Sequence, residues 1–357
     1  MGEQVADLIL SHYDEHARDL PWRIGPKSPK GSKANPYHVW LSEIMLQQTT
    51  VAAVIPYFEK FTARWPNFHT LANAQDEEVM AAWAGLGYYA RARNLLKCAR
   101  IVSQEHGGDL PKAEKDLIAL PGIGEYTAAA IASIAFAKRA LVLDANIERV
   151  MARLCQISTP LPRGKVDIKA ALEQVVPKKR AGDFAQAMMD IGASVCSVKK
   201  PKCNACPIAV HCKAAKQGDA EAYPVKAPKK AKPIRDGMAW WIVCDKHVLL
   251  VQRPDGGMLG GMRALPDDGW NARQDGDNRE PFTVDAENIV KKMVLNEAVQ
   301  HSFTHFSLKL KLTLIEVNHK FEIDDAMKAI WWPIENITEA GLPTLFAKAS
   351  QMPHHEG

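Results

Sequence analysis

Four cysteines lie within seventeen residues of this sequence, and they are the first candidates for chemistry. Six, two and five residues separate Cys196, Cys203, Cys206 and Cys212. Thiolates at such short spacing suit either a tetrahedral zinc ion or an iron–sulfur cluster. Structural zinc sites usually contain two short two-cysteine knuckles, and this run contains one. The spacing therefore favours a [4Fe–4S] cluster over zinc, and a disulfide framework is not expected in a chain without an export signal.

A carboxylate within an apolar segment is the second candidate. Glu43 is surrounded in sequence by Trp40, Leu41, Ile44 and Met45. Burial would disfavour the charged form of such a carboxyl and raise its pKa, and a neutral carboxylic acid can protonate a leaving group. The same pattern also fits one exposed position on an amphipathic helix. The residues alone leave both interpretations open.

A second carboxylate, Asp144, directly follows an apolar run in LVLDANIERV. This position predicts a plain N-cap for a helix that begins near Ile147. Upstream, the sequence LPGIG at 120–124 separates two helical segments within residues 113–137. A tight turn before a helix N-terminus exposes backbone N–H groups, which can bind phosphate.

The elements that must position these residues fall into two groups. Up to about residue 195 the apolar periodicity is almost wholly helical, whereas the segments Ala239–Cys244, His247–Arg253 and Phe306–Val317 read as strands. A chain of 357 residues favours two domains. We expect an all-α domain at 1–222, with the hairpin at 113–137 and the cysteine loop at 196–212. A Lys/Pro-rich linker at 223–237 and a smaller α+β domain at 238–357 follow.

Composition narrows the class of protein. With 47% hydrophobic and 24% charged residues, the chain has the balance of a folded protein, and no run is long enough to span a membrane. We expect a cytoplasmic protein that makes no membrane contact. Residues 1–230 contain 31 Lys and Arg against 23 Asp and Glu, whereas residues 231–357 contain 14 against 18. The basic N-terminal part suits a polyanionic partner such as nucleic acid.

Several longer motifs carry a resemblance. LPWR (20–23), WLSEIMLQQT (40–49), GLGYYARARNL (85–95), LPGIG, LDAN (143–146) and QAMMDIGASVC (186–196) resemble the helix-hairpin-helix, iron–sulfur DNA glycosylases. Within that superfamily they look like the MutY family of adenine DNA glycosylases. The resemblance covers residues 5–225 strongly. The C-terminal part resembles, more loosely, the family's MutT/Nudix-like domain, which recognises 8-oxoguanine.

The resemblance implies roles for these residues. It implies a monomeric, monofunctional enzyme that removes adenine from 8-oxoguanine:A and G:A mispairs in double-stranded DNA. Glu43 would protonate adenine at N7, Asp144 would stabilise the positive sugar, and Asn146 would orient water or the carboxylate. Tyr126 occupies the position where related glycosylase/lyases carry a Schiff-base lysine, so efficient strand cleavage is not expected.

The same resemblance implies binding residues and a cofactor. The adenine pocket would contain Trp22, Arg23, Leu46 and Asp190. Contacts to DNA or 8-oxoguanine would come from Gln48, Thr49, Leu86, Tyr88, Pro121, Gly122, Gly124, Gly260, Phe303, Thr304 and His305. A [4Fe–4S] cluster would be held by the four cysteines.

Three departures from the family pattern stand out. Thr304 replaces the usual Ser, Arg263 and Leu265 replace aromatic residues, and the loop Ile24–Asn35, with Lys27, Lys30 and Lys33, is longer than usual. The C-terminal part also lacks the carboxylate array of Nudix hydrolases. Two alternatives stay open: a bifunctional glycosylase/lyase related to endonuclease III, and a non-catalytic iron–sulfur DNA-binding protein.

Overall fold

The computed structural model describes residues 2–228, 231–254, 257–321 and 327–354. The chain forms two compact units, Met1–Pro228 and Lys229–Gly357. The first unit is helical and the second is built on a mixed sheet. The predicted fold class, a helical glycosylase-type domain followed by a smaller α+β domain, is confirmed. No helix in the described ranges has the length and apolar character needed to cross a membrane.

Twelve α-helices build the described part of the first unit. They are α1 (Gly2–His16), α2 (Pro36–Met45), α3 (Val51–Arg64), α4 (Phe68–Ala72), α5 (Asp76–Trp83), α6 (Ala90–Glu105), α7 (Glu114–Ile118), α8 (Glu125–Ile134), α9 (Ala145–Cys155), α10 (Lys165–Glu173), α11 (Ala181–Ser194) and α12 (Lys213–Gln217). Short 3₁₀ turns at Cys203–Ala205 and Ala209–His211 carry part of the cysteine run.

Helix α2 is the central element of this unit. Asn35 caps it by accepting a hydrogen bond from the Tyr37 amide at 2.9 Å, and Pro36 occupies the first turn, where its missing N–H costs nothing. Eight of its ten residues are buried, because α3, α6 and α8 pack around it. A helix buried on nearly every side forces any polar residue it carries into the interior, and Glu43 is such a residue.

The loop before α2 runs from Ile24 to Asn35 and consists of two hydrogen-bonded turns. The amide of Ser28 donates to Gly25 O at 3.0 Å, and that of Ser32 donates to Pro29 O at 3.1 Å. Lys27, Lys30 and Lys33 are all exposed on it. The loop therefore presents three cations between Arg23 and the N-cap of α2.

The second unit contains a six-stranded sheet. Its strands are β1 (Ile234–Cys244), β2 (His247–Gln252), β3 (Arg263–Ala264), β4 (Ile289–Ser302), β5 (Ser307–Val317) and β6 (Ile330–Pro333). The order is β3-β2-β1-β5-β4, and β6 also pairs with β2. Only β1 and β5 are parallel in the part of the sheet that the structure describes, with a register from Ile234 opposite Ser307 to Val243 opposite Glu316. Helix α13 (Thr344–Ala349) packs its apolar side against the sheet.

Two elements differ from the predicted boundaries. Strand β1 begins at Ile234, inside the segment 223–237 predicted as linker, because its first residues already pair with β5. Residues 229 and 230 of that segment lie outside the described ranges. Strand β4, the longest of the described strands, was not predicted, because exposed Lys291 and Lys292 interrupt its apolar alternation.

Candidate active site

Glu43 lies on α2 and its side chain is 6% exposed. The phenol of Tyr126, in the first turn of α8, donates a hydrogen bond of 2.7 Å to Oε2 of Glu43. Helices α2 and α8 pack directly against each other, which brings these two residues together across 83 positions of sequence. The amphipathic-surface interpretation of Glu43 is therefore wrong, because α2 has no solvent-facing side at this position.

The pKa of Glu43 is raised from 4.5 to about 7. Burial is the main cause, and the negative charge of Asp144 adds to it, whereas the Tyr126 hydrogen bond and the guanidinium of Arg23 act in the opposite direction. A carboxyl group with this pKa holds its proton over much of the range below neutrality. It can therefore serve as a general acid near physiological pH.

Asp144 is fixed at the N-terminus of α9. Its Oδ1 accepts a hydrogen bond from the Ile147 amide at 2.7 Å, which makes it the N-cap. Its Oδ2 accepts from Nδ2 of Asn146 at 2.8 Å. Both carboxylate oxygens are thus oriented by α9, and the group is held as an acceptor close enough to Glu43 to raise the pKa of that residue.

Arg149 extends this network toward the cysteine loop. One of its terminal nitrogens donates to Oδ1 of Asn146 at 3.0 Å and to Gly192 O at 2.6 Å, while Nε donates to Cys196 O at 2.8 Å. A single side chain therefore connects the amide beside Asp144 to the backbone of the first cysteine. Nothing in the sequence pattern singled out Arg149, because its partners are mostly carbonyl oxygens.

A partly open cavity lies beside Glu43. The cavity is lined by Trp22, Arg23 and Leu46, three of the four residues predicted to form an adenine pocket. The fourth, Asp190, does not line the cavity but binds Arg23. Asp190 accepts two bonds from Arg23, at 2.7 and 3.1 Å, and fixes that guanidinium. The Nε atom of Arg23 is buried and has no protein partner within the described ranges.

The cavity also contains residues that the sequence analysis did not assign. Polar groups come from Arg18, Ser42 and Gln186, and apolar walls come from Leu20, Val39, Val51, Ile134 and Met189. Arg18 donates to Asp190 from both its backbone amide and its Nε, at 3.1 and 2.6 Å. Gln186 lies in the quoted motif QAMMDIGASVC, and Arg18 lies two residues before LPWR, so their proximity to the motifs was the only available signal.

Two turns flank this region, and we call them the 46–50 turn, between α2 and α3, and the 84–89 turn, between α5 and α6. Gln48 in the first has a φ of 59° and Tyr88 in the second has a φ of 50°, and Tyr88 is 57% exposed. Non-glycine residues rarely adopt positive φ, and such strain concentrates at functional sites. Leu86, in contrast, is buried, and its backbone amide and carbonyl are both hydrogen-bonded within the protein.

The predicted hairpin consists of α7, the turn at 120–124 and α8. Gly122 has a φ of +79°, and a Cβ atom there would lie 3.0 Å from Cβ of Asn94, so glycine fits this position best. Gly124 is the N-cap of α8, and both glycines are exposed. With Pro121, they present the start of α8 to solvent.

The four cysteines line one cavity together with Arg153. Arg153 is 2% exposed and donates to Sγ of Cys196 at 3.3 Å and to the carbonyl oxygens of Ser197 and Val198 at 2.7 and 3.0 Å. All four cysteines are free thiols, and burial raises the pKa of Cys206 to about 11. Across the described ranges, no three His, Cys, Asp or Glu side chains converge on one ion position.

In the second unit, Phe303 begins a tight turn in which its amide donates to Phe306 O at 2.8 Å. Its ring stacks on Phe306 at 4.8 Å between centroids and meets His301 edge-on at 4.6 Å. Thr304 and His305 are exposed at the tip of this turn. Lys232, just before β1, donates from Nζ to Phe303 O at 2.6 Å.

The departures at 260–265 have structural explanations. Leu265 is fully buried in the core of the second unit. Arg263 is exposed, and its guanidinium lies 4.7 Å from the Trp332 ring centroid and donates to Ala340 O. Gly260 is buried, in contrast to the exposed Thr304 and His305.

Comparison with known proteins gives two family matches. A family described as "HhH-GPD superfamily base excision DNA repair protein" matches residues 41–178, and a family described as "NUDIX domain" matches residues 238–352. The first match contains Glu43, the hairpin and Asp144. The second contains most of the sheet and the 303–305 turn.

Two relatives that match along the chain have the same name. The chain is 34% identical over 349 residues to a protein from Buchnera aphidicola subsp. Acyrthosiphon pisum named adenine DNA glycosylase, with 95% of this chain and 94% of that protein covered. It is 36% identical over 310 residues to a human protein of the same name, with 73% of this chain and 57% of the relative covered.

Solved structures resemble the helical unit. A thermostable thymine-DNA glycosylase is 30% identical with a TM-score of 0.53, covering 60% of this chain and 95% of that chain. A trapped covalent complex of endonuclease III with DNA has a TM-score of 0.51, covering 61% of this chain and 98% of that chain. At 22% identity, the second likeness concerns the fold alone.

Proposed function

Because this chain belongs to the adenine DNA glycosylase family of base excision repair enzymes, we propose that it excises adenine paired with 8-oxoguanine, and also adenine of G:A mispairs. The observation that carries the proposal is a pair of neighbouring carboxylates, of which Glu43 lines the cavity. Glu43 is buried with a pKa of about 7, and Asp144 is fixed at a helix N-terminus close enough to influence it.

Glu43 acts as the general acid. Departure of adenine from the sugar requires a proton on the base, because the neutral leaving group avoids a full negative charge. The cavity beside Glu43 offers Trp22 and Leu46 as apolar walls and Arg23 as a donor. The unpartnered Nε of Arg23 suits a ring nitrogen of the base, and Asp190 keeps the guanidinium in place. The proton passes from the Glu43 carboxyl to N7 of the bound adenine.

Asp144 stabilises the sugar as the bond to adenine breaks and until water adds to C1′, which completes the hydrolysis. An oxocarbenium-like sugar carries positive charge at C1′, and a nearby carboxylate lowers the energy of that state. Asp144 is suited to this role because two hydrogen bonds hold its oxygens before the charge develops. Asn146 sets the orientation of the carboxylate through the bond from Nδ2 and is itself held by Arg149.

Tyr126 makes the enzyme monofunctional. Strand cleavage by related lyases needs an amine that forms a Schiff base with the sugar, and the residue at this place is a phenol bound to Glu43. Efficient cleavage of the DNA strand is therefore not expected. The Glu43–Asp144 pair also argues against a non-catalytic DNA-binding protein, because such a protein needs neither a raised carboxyl pKa nor a fixed carboxylate.

DNA contacts come from four places. The exposed start of α8 after Pro121, Gly122 and Gly124 binds backbone phosphate. Gln48 and Tyr88 insert beside 8-oxoguanine and fill space when adenine leaves the helix, with Thr49 beside them. In the second unit, Phe303, Thr304 and His305 contact the lesion, with Gly260 assigned to the same role. One chain supplies all of these residues, which supports action as a monomer.

The cysteines fit an iron–sulfur cluster, a cofactor common in this superfamily. Four free thiols line a single cavity, and their spacing contains one short two-cysteine knuckle where structural zinc sites usually contain two. A bound [4Fe–4S] cluster would be held by the thiolates of the four cysteines and would cross-link residues 196–212. Arg153 prepares this loop by bonding to Cys196 and to the two carbonyl groups after it.

Single-turnover excision assays test the proposed function. Wild-type protein should release adenine from duplexes that contain 8-oxoguanine:A and G:A, leave 8-oxoguanine:C intact, and form no borohydride-trapped adduct. The Asp144→Asn variant keeps the cap but loses the charge, and it should be inactive. Equal activity of both proteins, or no release by wild type, would refute the proposal. Iron and sulfide analysis of anaerobically purified protein tests the cluster, and one zinc per chain without sulfide would refute that part.

A further inference from the structure

Arg91, in the first turn of α6, donates hydrogen bonds to three separate segments around the candidate site. One terminal nitrogen donates to Ile44 O at 3.1 Å and to Met45 O at 2.9 Å. The other donates to Thr49 Oγ1 at 3.3 Å, Leu86 O at 3.0 Å and Gly87 O at 3.3 Å. The five acceptors belong to the end of α2, the 46–50 turn and the 84–89 turn.

The acceptors explain why a guanidinium is present. The last carbonyl groups of a helix have no partner within it, and a cation at that end is favoured by the helix dipole. Arg91 satisfies two such groups on α2, one or two residues beyond Glu43. A guanidinium presents several donors in one plane, so a single side chain can bridge the three segments.

Tyr88 is held by the same residue. Its carbonyl oxygen accepts from the backbone amide of Arg91 at 2.8 Å, and its ring centroid lies 5.5 Å from the guanidinium carbon. Trp83 contacts the same residues. Its Nε1 donates to Gly87 O at 3.0 Å, and its ring centroid lies 5.3 Å from the guanidinium carbon of Arg91. The strained backbone at Tyr88 is therefore fixed at its own carbonyl oxygen and at that of Gly87, the residue before it.

We propose that Arg91 is a positioning residue that holds the 46–50 turn and the 84–89 turn in one fixed relation to each other and to the helix that carries Glu43. The consequence for DNA, that Gln48 and Tyr88 enter the duplex as a rigid pair, rests on the proposed function. The placement of the turns does not. Arg91 thereby couples recognition of the mispair to the position of the acid without touching either base.

Arg100 provides a matched control on the same helix. Its guanidinium donates to Ala72 O at 3.3 Å, Ala74 O at 3.2 Å and Asp76 Oδ1 at 2.6 Å, and so ties α6 to the chain between α4 and α5. Arg91→Ala and Arg100→Ala remove the same charge and a comparable set of contacts. Only the first variant should affect the two turns.

Amide hydrogen exchange of the free protein tests the placement directly. The reporters are the Thr49 amide, which donates to Leu46 O, and the Leu86 amide, which donates to Trp83 O. Arg91→Ala should increase the exchange of both amides by about tenfold or more, and Arg100→Ala should leave both unchanged. Faster exchange at Leu86 alone, no change at either amide, or equal changes in Arg100→Ala would overturn the proposal.

Binding to DNA tests the consequence. The measured quantity is the ratio of affinities for a duplex with 8-oxoguanine opposite a non-hydrolysable adenine analogue and for undamaged duplex. Arg91→Ala should lower this ratio by about 10- to 100-fold, and Arg100→Ala should keep it. Arg91→Lys, which retains the charge but not the planar donors, should fall between them and covers the case in which Arg91→Ala does not fold.

If Arg91→Ala leaves the ratio of affinities for mispaired and undamaged duplex unchanged, the proposed coupling between mispair recognition and the position of Glu43 is wrong. Absence of adenine release by wild type would refute the proposed function instead, and the exchange result would still decide whether Arg91 places the turns.

Discussion

The phenolic oxygen of Tyr126 lies 2.7 Å from Oε2 of Glu43, and the bond opposes the main influence on that carboxyl group. Burial and the charge of Asp144 raise the pKa of Glu43, whereas the Tyr126 hydrogen bond lowers it by favouring the charged form. The result of about 7 is a balance between the two. A change of either partner should therefore shift the pH range in which the acid works.

Replacement of Tyr126 by Phe should raise the pKa of Glu43, because a bond to the charged form is lost. Excision needs protonated Glu43, so the rate falls as pH rises through that pKa. In Tyr126→Phe this decline should move to higher pH. Single-turnover rates measured from mildly acidic to mildly alkaline pH would show it. Tyr37→Phe, which removes a buried phenol bonded to Trp65 O, is the control and should leave the profile in place. A shift of the Tyr126→Phe profile to lower pH would contradict the assignment.

Replacement of Glu43 by Gln should lower the excision rate by about 10²- to 10⁴-fold, because the proton donor is removed. Binding of the mispaired duplex should be retained, since the amide is close in size to the carboxyl group. Rates and affinities measured on the same 8-oxoguanine:A duplex would separate the two effects. A variant with near wild-type rate would exclude Glu43 as the acid.

The same variant should change how stability depends on pH. The pKa of Glu43 is raised from 4.5 in the unfolded chain to about 7 in the folded protein, so the folded state binds more protons between these values. Wild-type stability from this group is therefore complete below pH 4.5 and is lost as pH rises toward 7. Relative to Glu43→Gln, the loss should be on the order of 3 kcal/mol. Urea unfolding of both proteins at the two ends of this range would measure it, and parallel pH profiles would contradict it.

Replacement of Arg149 by Gln should weaken the connection between Asn146 and the backbone of Cys196 at both residues. Asn146 would lose the donor that fixes its amide, and the carbonyl of Cys196 would lose its bond to Nε. We expect excision to fall by about 10- to 100-fold, and iron to be lost faster to a chelator. Arg139→Gln is the control, because Arg139 donates to the backbone carbonyls of Glu173 and Val176 and to none of the residues that Arg149 binds. Similar losses in both variants would indicate a general effect on folding.

The loop Ile24–Asn35 should contribute to DNA affinity through charge alone. Its three lysines are exposed, and none belongs to an ion pair found in the described ranges. Conversion of Lys27, Lys30 and Lys33 to Gln should reduce the slope of log affinity against log salt by up to about 3. Affinity should weaken equally for mispaired and undamaged duplexes, and the excision rate at saturation should stay unchanged. An unchanged slope would mean that the loop does not face phosphate.

Residue types with their own chemical signal were predictable from the sequence. Glu43 stands out as a charge in an apolar helix, Asp144 as a cap, and the cysteines by their spacing. Arg91 and Arg149 gave no such signal, because what defines them is a set of carbonyl acceptors from distant segments. Gln186 and Arg18 line the cavity with residues of α2 only because the three-dimensional fold brings α11 and the segment after α1 to the same place.

The elements of the fold also differ in how well the sequence predicts them. The helical character of the first unit follows from apolar periodicity, and the helix capped by Asp144 begins at Ala145, two positions from the predicted Ile147. Strand β4 was not predicted because the adjacent Lys291 and Lys292 interrupt its apolar alternation and its pairing with β5 contains an irregularity between Val294 and Ala298. The start of β1 was not predicted because the Lys/Pro-rich segment before it has the composition of a linker. Only pairing with β5 makes the first residues of β1 a strand.

Parallel pairing of β1 and β5 places the chain that enters the second unit next to the 303–305 turn. Ser307 donates to Pro233 O at 3.0 Å, and Lys232 donates to the carbonyl of Phe303. Tension applied to the incoming chain would therefore be transmitted to the tip that carries Thr304 and His305. For protein engineering this gives an insertion rule. A spacer placed between Lys232 and Ile234 alters the turn as well as the length of the connection, and one placed within residues 223–227 disrupts the pairing of that segment with Leu161.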